Sequence, residues 1–355
     1  MEINNDIFGE EMRVNIKNEI INDLTPYFMH KDLLDQHALS DGIFSVFEYV
    51  NKYVEDQEFS KGLKQVLNCY QNAGAINLNV VLTLMVECHE EFVNRENIMW
   101  SLKQKVIGNE EELYDKIVSY FDYIGTSLEV SVKGIVNELN ALICLTNGKN
   151  YDYAKICKLD FGVVVNNILD QGYFVDILKI HNLKLSDWRN IAKHHSYIIQ
   201  GNNITCIYGK DKKSFIITYE ELLNDTYKIT RSSNILNIAR CIFVYDNFTA
   251  ISLLPRKGGR TIEFREKMVI KQITTTLALH GFIIKNFERK DKILNLEIID
   301  QQQNTVESDF IQLREACYCK ILQDRWRMLE VDRINIKHFD IDGKIVDALW
   351  MEPVS

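Results

Sequence analysis

The sequence predicts an α+β protein: an N-terminal all-α part followed by a smaller C-terminal α+β domain. Two observations carry this. Between Phe44 and Leu145 apolar residues recur at spacings of three and four, the period of helices with one buried face. Near Tyr245 the pattern changes, and short alternating runs bounded by turn residues, the signature of strands, take turns with helical segments. The expected division is a helical region over 1–84, a helical domain with a small hairpin over 85–245, and an α+β domain over 246–355.

Taken in order, helices are expected over 44–53, 59–71, 78–97 and 110–145. The last keeps one stripe through Leu113, Ile117, Tyr120, Ile124, Leu128, Val132, Ile135 and Leu139. Asn147-Gly148-Lys149-Asn150 ends it with turn chemistry. Shorter helices follow over 159–169 and 173–180. Ser186 is placed as the N-cap of a helix running through Trp188 to about Ile199. Strands are expected over 204–208 and 214–218 around a Gly209–Lys212 loop, then helical pieces over 219–224 and 232–242. In the last domain a strand over 249–254 precedes a helix over 263–279. A hairpin then turns at Lys290-Asp291, a charged helix covers 308–329, and a second hairpin turns at Asp342-Gly343.

Composition narrows the function classes. The chain has 355 residues, 46% hydrophobic and 26% charged, with no low-complexity tract. No window approaches the ~18 consecutive apolar residues of a transmembrane helix, and the polar, acidic start is not that of a secretory signal. The eight cysteines are scattered, several inside apolar runs, the usage of buried small hydrophobes in a reducing cytoplasm. Cys317-Tyr318-Cys319 lacks the further ligands a metal needs, so no metal and no cofactor is expected. A net charge of −9 argues against a surface coated in nucleic-acid contacts. Two basic islands stand out against it, one from Lys184 to Lys213 and one from Pro255 to Lys271. They suit a local phosphate site. In the second, Pro255-Arg256-Lys257-Gly258-Gly259-Arg260 lacks the Gly-Lys-Ser/Thr ending of a phosphate loop and reads as a basic turn.

The segment Arg189-Asn190-Ile191-Ala192-Lys193-His194 is the most informative in the chain. An Arg followed by a His at this spacing means little, since about one such match arises by chance in a chain of this make-up. Arg333 and His338 supply one, on a stretch that alternates as a strand. Arg189, however, is the only arginine followed directly by asparagine, and it stands near the start of a helix. On that helix Asn190 and His194 share a face, while Arg189 lies about 100° round and reaches with its long side chain. Trp188, Ile191, Ala192 and His195 make the apolar stripe, which marks His195 as a supporting residue and His194 as the catalytic candidate.

This stretch resembles the HEPN superfamily (higher eukaryotes and prokaryotes nucleotide-binding domain). Its ribonucleases carry Arg-Asn-x-x-x-His on the last core helix of an α-helical bundle. The resemblance spans about residues 85–240 and is concentrated in the motif; Lys193 departs from the alanine frequent before the histidine. It implies a HEPN-like helical bundle and a metal-independent endoribonuclease, with Arg189, Asn190 and His194 catalytic and Lys193 and His195 supporting. It further implies a homodimer with two motifs at one cleft, and products bearing a 2′,3′-cyclic phosphate. Bacterial members are toxins or abortive-infection effectors in antiviral defence, so an antitoxin, inhibitor or phage-derived trigger is the expected partner beside RNA.

The residue chemistry fits. RNA brings its own nucleophile, the 2′-hydroxyl; histidine can move protons near neutrality and arginine presents a fixed fork to phosphate. Lys184, Arg256, Lys257 and Arg260 are candidate RNA contacts. Glu138, off the apolar stripe, is either a site carboxylate or a solvated helix position. The alternatives to a nuclease are a non-catalytic RNA- or nucleotide-binding module and a regulatory interaction protein.

Overall fold

The computed structural model describes residues 6–103, 110–149, 151–254, 266–301, 308–329 and 331–352. Among the described residues helices predominate and the strands form small, mostly antiparallel sheets, an α+β arrangement, and the chain divides into two compact units. One gathers residues 1–26, 30–48 and 263–355; the other gathers 27–29 and 49–262. No helix among the described residues is long and apolar enough to cross a membrane.

The chain opens with α1 (Asp6–Leu24), α2 (Lys31–His37) and α3 (Asp41–Lys52). The long α4 (Gln57–Glu87) follows, capped by Asp56, whose carboxylate accepts the Phe59 N–H at 3.0 Å. Where the sequence suggests two helices, α4 continues through a kink at Asn77. That residue leaves helical φ/ψ, and its side chain caps the restart by accepting the Val80 N–H at 3.1 Å. Then come α5 (His89–Lys103), α6 (Leu113–Ser127) and α7 (Lys133–Thr146), the last two joined without a break by a π turn, Leu128–Val132. The expected stripe survives it from Ile117 on: Ile117, Ile124, Leu128, Val132, Ile135 and Leu139 are buried and Tyr120 is partly so, whereas Leu113, in the first turn of α6, is exposed.

After α8 (Tyr153–Ile156), α9 (Phe161–Leu169) and α10 (Val175–Leu178), a two-residue turn joins the short strands β1 (Lys179–Ile180) and β2 (Leu183–Lys184). The motif helix α11 (Leu185–Lys193) leads directly into a three-stranded antiparallel sheet: β3 (Tyr197–Gln200), β4 (Asn203–Tyr208) and β5 (Lys213–Thr218). Thr218 then caps α12 (Tyr219–Asp246) reciprocally with Glu221. It is one helix rather than the two pieces expected. The hydroxyls of Thr226 and Thr230, which weaken helix propensity, fold back onto the carbonyls of Leu222 and Thr226 at 2.7 and 2.8 Å. Helices α4, α6, α7 and α12 share the core of this unit, and α12 approaches the π turn over small polar groups. Ser233 donates to Ser131 at 3.2 Å and Asn237 to the same hydroxyl at 2.8 Å. The expected strand over 249–254 is instead α13 (Phe248–Ser252), begun at Asn247, whose amide is held by the Phe243 carbonyl at 2.9 Å.

In the other unit, α14 (Glu266–Leu279) and α15 (Ser308–Leu329) cover one face of a sheet of β6 (Phe282–Lys290), β7 (Ile293–Asp300), β8 (Arg333–Phe339) and β9 (Ile345–Met351). The strand order is 6-7-8-9; both expected hairpins are present, and α15 crosses between them so that β7 and β8 run parallel. Val269, Ile273 and Leu277 meet Tyr318 and Leu322 over Phe282, Leu294, Leu296, Ile334 and Ile336. The Asp300 carboxylate, fully buried, takes a two-pronged bond from Arg314 at 2.7 Å on each oxygen.

Glu315, one residue on, has its carboxyl pushed up to about 7 by burial and by sharing a hydrogen bond with Asp347. A raised carboxyl stabilises the fold fully below its unfolded value of 4.5, and that contribution is lost as pH rises towards about 7. Amide exchange in β8 and β9 is therefore expected to quicken from pH 4.5 to 7.5, after correction for intrinsic rates, by more in the wild type than in Glu315→Gln. Equal slopes would remove Glu315 as the cause.

Candidate functional site

The nine-residue α11 is set by its apolar face. Trp188 is fully buried and donates from its indole to the Ile180 carbonyl at 3.1 Å; Ile191 and Ala192 are buried beside it. Ser186, expected as the N-cap, is buried in the first turn. The cap is Lys184, and its backbone N–H donates to Asp187 at 3.3 Å. The opposite face carries Arg189, Asn190 and Lys193.

The helix ends at Lys193, six residues earlier than about Ile199. Ser196 N–H bonds the Ile191 carbonyl at 2.9 Å and His195 N–H bonds Ala192 at 3.4 Å, with His195 at φ 49°. That is a Schellman ending with histidine in the left-handed position. Residues 197–200 then pair with 203–206 across Gly201-Asn202, where glycine supplies the positive φ of a two-residue hairpin loop. Isoleucines that read as a continuing helix are thereby a strand. The same stop overturns the expected place of His195. It is off the stripe and exposed, its Nδ1 3.4 Å from the Tyr197 hydroxyl. Tyr197 itself stacks on Phe121 with ring centroids 4.1 Å apart.

Arg189 is held from α6's extension. Its Nε and one terminal nitrogen reach one oxygen of Glu129 at 2.6 and 2.5 Å, and its other terminal nitrogen donates to the Asn190 side-chain carbonyl at 3.0 Å. Lys133 holds the second oxygen of Glu129 at 3.0 Å. Glu129 lies in the π turn, whose extra residue swings it round the helix. Gly125, one turn earlier, lets α11 in close: a Cβ there would stand 3.1 Å from that of Ala192 and 3.2 Å from the Lys193 chain. Lys193 donates to Thr126 at 3.0 Å. His194, the C-cap, is exposed, and its ring has no partner among the described residues.

Of the other candidates, Lys184 is spent inside the fold, its amine 2.7 Å from Asn166 on α9. Arg256, Lys257 and Arg260 lie outside the described residues. Glu138 is neither a site carboxylate nor solvated. It is 2% exposed and accepts from Tyr70 at 2.6 Å and from Arg240 at 3.2 Å. Glu129 is the carboxylate that sequence reasoning missed. Its only signal is a lysine four residues later, which reads equally as a solvated helix pair. His338, of the second Arg-to-His match, is fully buried on β8, as its alternating surroundings indicate.

The arrangement offers an anchored guanidinium with an N–H to spare on each terminal nitrogen, an open amide, an exposed imidazole and a lysine. It can grip a phosphate and move a proton. Among the described residues no group of three or more His, Cys, Asp or Glu could hold a metal ion. Burial opposes the charge on Glu129, but the bonds from Lys133 and Arg189 outweigh it and hold the carboxyl below its usual range. A depressed carboxyl stabilises the fold above its unfolded value of 4.5, and the contribution is lost as pH falls through the folded value. Exchange of the α11 amides is therefore expected to accelerate below pH 4.5 in the wild type and to change less in Glu129→Gln. Parallel profiles would refute the assignment.

No known protein family, curated protein or solved structure matches this chain.

Proposed function

We propose that the chain is a metal-independent endoribonuclease of the HEPN type, acting on RNA by 2′-hydroxyl attack. In this reading residues 85–245 are a HEPN-like helical domain, and the protein works in the cytoplasm as a homodimeric toxin or antiphage effector. An antitoxin, inhibitor or phage-derived trigger holds or releases it. The observation that carries the reading is the state of the motif: Arg189, anchored by Glu129, bonds Asn190 on the open face of α11, and the His194 ring at the C-cap has no partner among the described residues.

His194 takes the proton of the 2′-hydroxyl as that oxygen attacks the adjacent phosphorus, and Arg189 and Lys193 bear the charge that grows on the phosphate oxygens. His194 of a second copy protonates the departing 5′-oxygen, leaving a 2′,3′-cyclic phosphate. The test is cleavage of mixed RNA in EDTA by the wild type and by Arg189→Ala and His194→Ala. Undiminished cutting by both variants would sink the proposal.

A second reading, a non-catalytic RNA- or nucleotide-binding module, is favoured by the closeness of the Arg189–Glu129 pair, which partly neutralises the guanidinium. It predicts salt-sensitive RNA binding with no cleavage and a dispensable His194.

A further inference from the structure

Behind α11 a second histidine is held in a different way. His181 and Asn182 form the two-residue turn between β1 and β2, at φ 52° and 61°. Such a turn accepts glycine or asparagine at both places without strain, so histidine at 181 owes nothing to the turn itself. Its Nδ1 approaches Asp225 of α12 at 3.2 Å, off the line of a straight hydrogen bond. The Asp225 side chain is 2% exposed, whereas that of His181 is 41% exposed. A buried carboxylate thus backs Nδ1 of a partly exposed ring whose Nε2 it does not engage. Burial raises the Asp225 carboxyl and the neighbouring His181 and Lys228 oppose it.

The ring of His181 leans over Phe215, with centroids 5.5 Å apart at 37°. Phe215 starts an aromatic ladder along one face of the β4–β5 hairpin. Trp188 meets it edge-on at 5.9 Å from the buried side, and Tyr208 does so at 5.8 Å from the outer side. Lys213 pairs with Tyr208 across the strands, so it stands on that face too, and Lys210 and Lys212 occupy the loop beyond. Exposure rises from Trp188, fully buried, through half-buried Phe215 and Tyr208 to exposed Lys213. Half-buried aromatic rings with cations at their open end make the surface on which unpaired bases stack while the backbone is gripped.

We propose that this surface binds a single-stranded RNA segment, with one base on Phe215 and Tyr208 and the adjoining phosphate on His181 Nε2 and Lys213. The proposal rests on the ribonuclease reading for the identity of the strand as substrate, but its binding step does not require cleavage. Asp225 is a positioning residue.

The test is fluorescence anisotropy with a short 2′-O-methyl oligonucleotide, which lacks the attacking hydroxyl. Phe215→Ala is expected to weaken binding about tenfold with an unchanged salt slope, and Phe215→Trp to restore it. His181→Ala is expected to weaken binding and to reduce the slope of log affinity against log salt by about 0.7, one phosphate contact on a single strand. Affinities within twofold of wild type in both alanine variants overturn the proposal, as does a Phe215→Trp variant no better than Phe215→Ala. AMP is expected to compete only at far higher concentration than the oligonucleotide; equal competition overturns the strand in favour of a free nucleotide. These outcomes leave the EDTA cleavage assay, and with it the ribonuclease reading, to stand or fall separately.

Discussion

His194→Ala is expected to lower the rate of RNA cleavage by about 10²–10⁴-fold, the usual worth of a positioned general acid or base. Arg189→Ala should lose about 10²–10³-fold through lost stabilisation of transition-state charge. The two variants should differ in the fold. His194 is exposed and its ring makes no hydrogen bond or ion pair with a described residue, so its removal should leave amide exchange in α11 unchanged. Removing Arg189 leaves Glu129 with Lys133 alone, so exchange at the π turn should quicken modestly. Arg189→Lys should not rescue activity, because an ammonium cannot span Glu129, Asn190 and a phosphate at once. The control is Asn190→Asp, which keeps the acceptor for Arg189 but places a second negative charge beside the phosphate. Its rate should fall while the helix holds. A His194→Ala enzyme that cuts as fast as wild type would leave the motif a structural helix end and favour the non-catalytic reading.

What the sequence makes legible here follows periodicity. The stripe of α6 and α7, the Gly209–Lys212 hairpin and the two hairpins flanking α15 each depend on contacts local in sequence, and each forms as expected. The misses share a physical cause, since each is decided by a partner distant in the chain or by a single backbone angle. Ile198 and Ile199 suit a helix or a strand equally. The left-handed turn at His195 and the facing strand at 203–206 choose the strand. Once the helix stops there, the wheel that put His195 beside Trp188 no longer applies. The parallel register of β7 and β8 is set by the crossover helix, about which alternation along one strand says nothing. In the candidate site, Arg189, Asn190 and His194 are legible because their spacing lies within one short helix and its C-cap. Glu129 is not. It comes within reach of Arg189 only because a π turn displaces it, and no residue pattern announces that turn.

Glu138 and Arg240 make the opposite kind of pair, and the largest stability effect is expected there. Both side chains are almost fully buried, at 2% and 6% exposure, and their bond joins α7 to α12. Tyr70 of α4 donates to the same carboxylate at 2.6 Å, and the guanidinium lies over the Phe92 ring at 4.2 Å. Burial works against the Arg240 charge, and Glu138 more than offsets it, so the guanidinium's proton is held more tightly than usual. Arg240→Met removes one partner and strands a carboxylate in an apolar interior, which costs about 3–5 kcal/mol. Glu138→Leu in the same chain takes away the stranded charge, and the double variant should recover part of that loss, the remainder being the buried Tyr70 hydroxyl left without its acceptor, about 1–3 kcal/mol. Urea unfolding followed at Trp188, buried in the same unit, reads the difference. At a temperature where the double variant is folded it should cleave RNA like the wild type, because neither residue lies among Arg189, Asn190 and His194. Full stability in Arg240→Met would contradict the buried pair. A stable double variant that no longer cuts would return Glu138 to the site from which its burial removes it.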